Sequence, residues 1–276
     1  MCGNRKETIQ FGMPTLIELS SLEETFKLCR KLGLDFVELN MNLPDYQADK
    51  LEEIEALLEL KERYGIYYTI HLDENLNICD FNRAVAQAYT DTVRRTITAA
   101  KKLGSPILNM HMNHGVYFTL PERKVELFAV YGKEYREAWT QFRCMCEDEI
   151  GDFDIRICIE NTDGFRDYEK EALQGLLESP VFGLTWDIGH SHSVGNIDEA
   201  FLMEHGDELQ HFHIHDALGE KNHRALGTGE IDLIQRLQLA KAHHCRCVLE
   251  TKTVEGLEKS VGWLWRNWKE SCEKYF

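Results

Sequence analysis

His71, His111, Glu160, Asp187, His213 and Glu250 each close a short apolar run of the chain, one residue to a run. Imidazoles and carboxylates at such positions are the side chains that hold zinc or manganese, and they are not those that fill a core. A single histidine at a strand end is more often a hydrogen-bonded packing residue than a ligand. Recurrence over six runs reverses that weighting and points to a metal site assembled from many strands. Two more histidines extend the set. His190 follows Asp187 by three residues, so both side chains can enter one cavity as the chain turns, and His223 lies in a polar loop, 219–224.

The apolar runs must be strands, and the segments between them carry helical periodicity. Strands are expected at 8–13, 36–39, 66–71, 107–111, 155–160, 183–187, 209–213 and 245–250, each followed by a helix. The first helix is capped by Ser20 or Ser21, turns Leu22, Phe26, Leu28, Cys29 and Leu32 inward and ends at Gly33. Others are expected at 51–63, stopping before Gly65, and at 82–103, stopping at Gly104. The fourth is expected to start at Pro121 and reach 148, and the rest lie near 171–177, 197–205, 232–242 and 254–268. Eight such units close most economically as a (β/α)8 TIM barrel, whose strand ends all face one mouth. An open doubly wound sheet fits less well, because no GxGxxG opens a first helix and the polar residues recur strand after strand.

The chain has 276 residues, and a barrel of about 250 residues forms one unit, so a single domain over 1–276 is expected. Lys and Arg number 31 against 47 Asp and Glu, a formal charge of -16 that repels polyanions. Asp45 and Asp49 after the second strand, and Asp73, Glu74 and Asp80 after the third, add acid near the mouth. Nucleic acid is therefore an unfavourable partner. Lys221, Arg224, Lys252 and Arg166 are the few cations expected there, and they suit one small anionic ligand. His114, His215, Lys221, Arg224 and Lys252 are the candidate substrate-binding residues. The nine cysteines form no CxxC pair, and reduced structural thiols are expected. With no spanning segment and no signal-like start, a cytoplasmic location and no membrane association are expected. Trp263, Trp265 and Trp268 cannot all face inward on one helix, so an exposed aromatic face could serve a homodimer.

The ordered set His71, Asn109-Met110-His111, Glu160-Asn161-Thr162, Asp187-x-x-His190, His213-x-x-Asp216, His223-x-x-x-Gly227-x-Gly229 and Glu250-Thr251 resembles the xylose isomerase-like TIM barrel superfamily. Within it the chain looks most like the endonuclease IV branch, AP endonuclease family 2, over nearly its whole length. That resemblance implies a first zinc site from His71, His111 and Glu160. It implies a second from Glu160, Asp187, His213 and Glu250, and a third that includes His190 and His223. This sequence departs from the branch at Lys221, where an aspartate stands two residues before the His223 equivalent; a protonated amine cannot ligate zinc. Sugar isomerases and epimerases of the same superfamily resemble it at Glu160, Asp187, His213 and Glu250 only, and hold one ion there, typically manganese.

Two activities follow as expectations. One is a zinc-type hydrolase of a phosphate ester on a small anionic substrate, with two or three ions, a bridging Glu160 and a metal-activated water. His71 and His111 favour it. The alternative is a sugar or sugar-phosphate isomerase or epimerase with one Mn2+, in which the catalytic pair Glu160 and Glu250 moves a proton beside the carbonyl. Phe11, Tyr117, Phe165 and Trp186 would then be candidates to stack on the sugar, although each is more often core. A non-catalytic metal-binding barrel is the third class.

Overall fold

The computed structural model describes residues 9–268. Eight parallel strands close into a barrel in chain order: β1 (Gln10–Pro14), β2 (Phe36–Asn40), β3 (Tyr67–His71), β4 (Ile107–His111), β5 (Arg156–Glu160), β6 (Phe182–Asp187), β7 (Leu209–Ile214) and β8 (Arg246–Leu249). β8 pairs with β1 through Gln10↔Arg246 and Gly12↔Val248, so the barrel has no open edge. This is the expected (β/α)8 architecture. Thr8, where the first strand was expected to begin, lies outside the described residues.

Local chemistry sets the helix ends. Ser21 Oγ accepts from the Glu24 amide at 3.2 Å and starts the helix Leu22–Lys31. The helices Ile54–Tyr64 and Arg83–Leu103 stop at Gly65 and Gly104, whose φ of 65° and 63° place them in the left-handed region that glycine enters without strain. Phe26, Cys29, Val93, Ile97 and Leu103 are the buried stripes of these helices against the outside of the barrel.

The fourth helix departs from expectation. Pro121 lies in the turn of a β-hairpin, Tyr117–Thr119 with Lys124–Glu126, closed by the Leu120 amide on the Arg123 carbonyl at 2.8 Å. The helices follow only at Leu127–Val130 and Gly132–Ile150. Proline's fixed φ suits the first corner of a turn as well as a first helical turn, and the aromatic and β-branched residues here favour the strand. After β6 the chain forms two helices, Ile188–Ser193 and Glu199–Glu204, and the polar loop after β7 is a second hairpin, Asp216–Leu218 with Lys221–Arg224. Gly229 donates to Asp216 Oδ2 at 2.8 Å, and Gly227 lies under the Trp263 ring, so the two glycines pack this turn against the last helix.

In that last helix, Val254–Asn267, Trp263 is partly buried, Trp265 is 41% exposed and Trp268, just past its end, is buried, which leaves one exposed indole instead of an aromatic face. Phe11, Phe165 and Trp186 are likewise core residues, and Tyr117 is exposed beneath the Lys124 ammonium. All seven described cysteines are free thiols. Among the described residues no helix is long and apolar enough to cross a membrane.

Branched apolar side chains fill the interior of most such barrels. Here much of the filling is polar. Thr69 and His211 bond to Glu38, Thr185 Oγ1 donates to Asn109 Oδ1 at 2.5 Å, and the Asn109 amide donates to Glu160, all of them buried. Below this layer Phe36 stacks on Tyr67 with ring centres 5.2 Å apart. Phe36 fits because β1 carries Gly12 opposite it: a Cβ there would come within 2.3 Å of the ring. Gly12→Ala is therefore expected to destabilise the protein by about 1–3 kcal/mol through overpacking. Gly175→Ala, on a helix with open space at that position, is expected to stabilise it by about 0.4–1 kcal/mol. Thermal and denaturant unfolding of the two variants checks the contrast, which fails if Gly12→Ala unfolds like wild type.

Candidate metal centre

The strand ends converge. Parallel register sets His111 beside Glu160 across β4 and β5, and Asp187 beside His213 across β6 and β7. Glu250 follows β8 by one residue and donates its amide to the Ile214 carbonyl at 3.1 Å, which holds it beside β7. The resulting pocket has Glu160, Asp187, His213 and Glu250 at its centre, with one donor atom from each lying within 4.8 Å of the others.

His213 is the hub. Its Nδ1 lies 3.3 Å from Glu160 Oε1, 3.2 Å from Glu250 Oε2 and 3.9 Å from Asp187 Oδ2. On the side of β3 and β4, the Nε2 atoms of His71 and His111 stand 3.5 and 3.2 Å from Glu160 Oε2. His71 Nδ1 donates to its neighbour's carbonyl, Leu72 O, at 2.8 Å, and this turns Nε2 inward. On the other side, His190 Nδ1 is 3.1 Å from Asp187 Oδ2, and His223 Nε2 is 3.6 Å from Glu250 Oε1.

His215 plays a different part. Its Nδ1 accepts the amide hydrogen of His223 at 2.8 Å, so that nitrogen carries no proton, and its Nε2 donates to Asp187 at 3.0 Å. Both ring nitrogens are thus engaged by protein, and His215 braces Asp187 instead of facing solvent or substrate. His223 reaches this position with a φ of 53°. Gly189 leaves room for the His215 ring, since a Cβ there would overlap it at 1.9 Å. Asn161 completes the bracing: its Oδ1 accepts from the Asp187 amide at 2.8 Å and its Nδ2 donates to the Asp187 carbonyl at 3.0 Å.

The electrostatics follow from packing acids and imidazoles together in the interior. Burial opposes ionisation of Glu160, but the rings of His213 and His111 outweigh it and hold the carboxyl well below the usual range. Glu250 is depressed in the same way, against burial, by His213 and then His223. Burial also disfavours protonated His71 and His190, yet Glu160 raises the first to about 9 and Asp187 with Glu160 raises the second to about 9. His213, facing several carboxylates, stands well above the ordinary imidazole value despite complete burial.

Cation ligation fits this set. Among the described residues His111 Nε2, His190 Nδ1, both ring nitrogens of His213, His223 Nε2 and Glu250 Oε2 are buried atoms without a hydrogen-bond partner, and a bound ion is one reason for such orphans. Mixed carboxylate and imidazole donors suit zinc or manganese. The third site implied by the resemblance lacks its carboxylate. His190, His215 and His223 come together there, but His215 is committed to Asp187, while Lys221 and Glu220 are exposed on the hairpin.

The remaining expected residues divide. Lys252 reaches the centre, with Nζ 2.7 Å from Glu250 Oε1. Arg224 is turned onto the Thr228 carbonyl at 2.9 Å. His114 is held between Asp163 and Glu169, the latter at 2.6 Å, and so ties the loop after β4 to the segment after β5, while Arg166 pairs with Asp163 at 2.8 Å within that segment and reaches Glu126 at 3.7 Å. Sequence reasoning missed Glu38, His211 and Asn109. An acid within the apolar run Phe36-Val37-Glu38-Leu39 was the available signal, because a charge alternating inward on a barrel strand needs a partner.

Comparison with known proteins places this geometry. A family described as xylose isomerase-like TIM barrel matches residues 26–267. Among solved structures, a D-tagatose 3-epimerase-like protein superposes with a TM-score of 0.76 at 24% identity, covering 97% of this chain and 100% of that one. The 3-keto-D-glucoside 4-epimerase YcjR of E. coli gives 0.73 at 15% identity, covering 94% and 100%. The IolI protein with a bound zinc atom gives 0.71 at 17%, covering 97% and 99%. At these identities the structures establish a shared fold, and the match over most of the sequence establishes the family: the chain belongs to the xylose isomerase-like TIM barrel family.

Proposed function

We propose that the protein is a divalent-metal-dependent isomerase or epimerase of a sugar or sugar phosphate, with Glu160 and Glu250 as its proton-transferring pair. The observation that carries this reading is the placement of those two carboxylates beside His213 Nδ1, at 3.3 and 3.2 Å, in one pocket with Asp187. The epimerases among the structures sharing this fold support it over the hydrolase expectation. A cation held by Glu160, Asp187, His213 and Glu250 would polarise a sugar carbonyl and its neighbouring hydroxyl.

The chain's own residues do the rest. Both glutamates are ionised, so either can take the proton from the carbon beside the carbonyl. The other would deliver a proton drawn from solvent to the opposite face, which inverts that centre, or to the adjoining carbon, which moves the carbonyl, while the first releases the proton it took to water. His71 and His111 present Nε2 atoms to sugar hydroxyls. Lys252 keeps a positive charge beside Glu250 and suits a phosphate or carboxylate on the substrate.

One observation favours a second reading. His71 and His111 both face Glu160 Oε2, and His111 Nε2 is buried without a partner, a set that fits another ion bridged by Glu160 and with it phosphate-ester hydrolysis by zinc.

Incubation of the metal-loaded protein with ketoses, aldoses and their phosphates in deuterated water is expected to give isomer or epimer with solvent deuterium at the carbon beside the carbonyl. Glu160→Gln and Glu250→Gln are each expected to reduce turnover at least about 100-fold. Phosphate-ester cleavage with two or more zinc ions per chain, and no deuterium incorporation, would sink the isomerase reading in favour of the second. Metal uptake has a definite pH sign. His213 holds its proton in the metal-free protein and must release it to ligate, whereas the carboxylates are already ionised. Affinity for zinc or manganese is therefore expected to rise as the pH increases above the ordinary imidazole range, with proton release visible in calorimetry across buffers; an affinity that does not change with pH there contradicts the assignment.

A further inference from the structure

We propose that Glu38 is the positioning residue that fixes His213 with its Nε2 protonated and its Nδ1 free for the metal. The proposal rests on the metal centre described above and concerns a residue outside it. Glu38 occupies the middle of β2 and is 1% exposed. Its Oε1 lies 2.9 Å from His213 Nε2, while Oε2 accepts from Thr69 Oγ1 at 3.0 Å and from His211 Nε2 at 2.9 Å. Its contacts among the described residues are thus one hydroxyl and two imidazoles.

A buried carboxylate costs several kcal/mol unless something requires it, and an apolar side chain on a barrel strand would avoid that cost. What requires it is visible on the far side of the His213 ring. Glu160, Glu250 and Asp187 crowd Nδ1, and each would hold a proton there. Among the described residues Glu38 is the one carboxylate paired with Nε2, and it opposes them. The pair is an ionic contact at 2.9 Å rather than an aligned hydrogen bond, so Glu38 acts on the ring through its charge, which favours the hydrogen on the nitrogen beside it. With the hydrogen on Nε2, the Nδ1 lone pair is directed at the pocket. His211 and Thr69 occupy the other oxygen of Glu38 and hold the carboxylate against rotation. The Nδ1 atom of His211 itself has no partner, so Glu38 is the hydrogen-bonded end of that ring.

Glu38→Gln keeps the shape and removes the charge. Titration with zinc chloride or manganese chloride is expected to show affinity about 10–100-fold weaker than wild type, with the metal-free unfolding midpoint unchanged or raised. Glu38→Asp, which keeps the charge on a shorter arm, is expected to retain more affinity than the glutamine variant. In protein labelled with 15N-histidine, His213 of the zinc-loaded wild type is expected to show a protonated Nε2 and a metal-shifted Nδ1. Affinity of Glu38→Gln within twofold of wild type, or a protonated Nδ1 with Nε2 bound, overturns the proposal while leaving the metal centre intact. Wild-type protein that binds neither metal overturns both. Should the glutamine variant fail to fold, the wild-type imidazole spectrum decides by itself.

Discussion

Four carboxylates, Glu38, Glu160, Asp187 and Glu250, are buried together near the axis of one barrel, and their mutual repulsion in a low-dielectric interior is the constraint around which the molecule is arranged. Lys252 is the only lysine or arginine that contacts any of them among the described residues. Neutralisation therefore falls to imidazoles. His71, His111, His190, His213 and His223 surround the acids, and those raised in basicity owe it to the same charges that they offset. Such an arrangement is balanced by protons in one state and by a cation in another, which is the reason a metal centre and a set of buried histidines look alike from the fold.

The barrel supplies geometry that no single element could. Because all strands run the same way, each delivers its last inward-facing residue to one end, and parallel register brings acids and imidazoles from neighbouring strands side by side. Precision then comes from beneath and beside. The amide of Asn161 grips the Asp187 backbone, His215 grips its carboxylate, and Asn109 holds Glu160 against Thr185. Gly12 and Gly189 are part of the same design, since each is absent of side chain where a ring has to lie.

The architecture was legible in the sequence because six of the eight strands announce themselves with an apolar run ending in a ligand-type residue, and the caps at Ser21, Gly65 and Gly104 mark helix ends by simple stereochemistry. The convergence of the eight histidines and acids expected at the centre was legible for the same reason. Pro121 misled because one fixed φ serves a helix start and a turn corner equally. His215 could not be told from a ligand by spacing, since its task depends on an amide eight residues away. Glu38 escaped because a strand of five residues gives too short an alternation to say which face is inward. The choice between isomerase and hydrolase is harder still, for the two share four residues and differ in whether His71 and His111 meet hydroxyls or an ion.

The hydrogen bond from the His223 amide to His215 also joins a surface part of the molecule to a buried one. One end is a hairpin at the rim of the barrel, the other a brace on Asp187 in the rigid interior. Linkage is reciprocal, so whatever steadies the hairpin strengthens the grip on the cation, and the cation in turn quietens the hairpin. A molecule settling against Lys221 or Arg224 would thus be sensed in the interior through one backbone amide, and the rim would serve as a gauge of occupancy as well as a doorway.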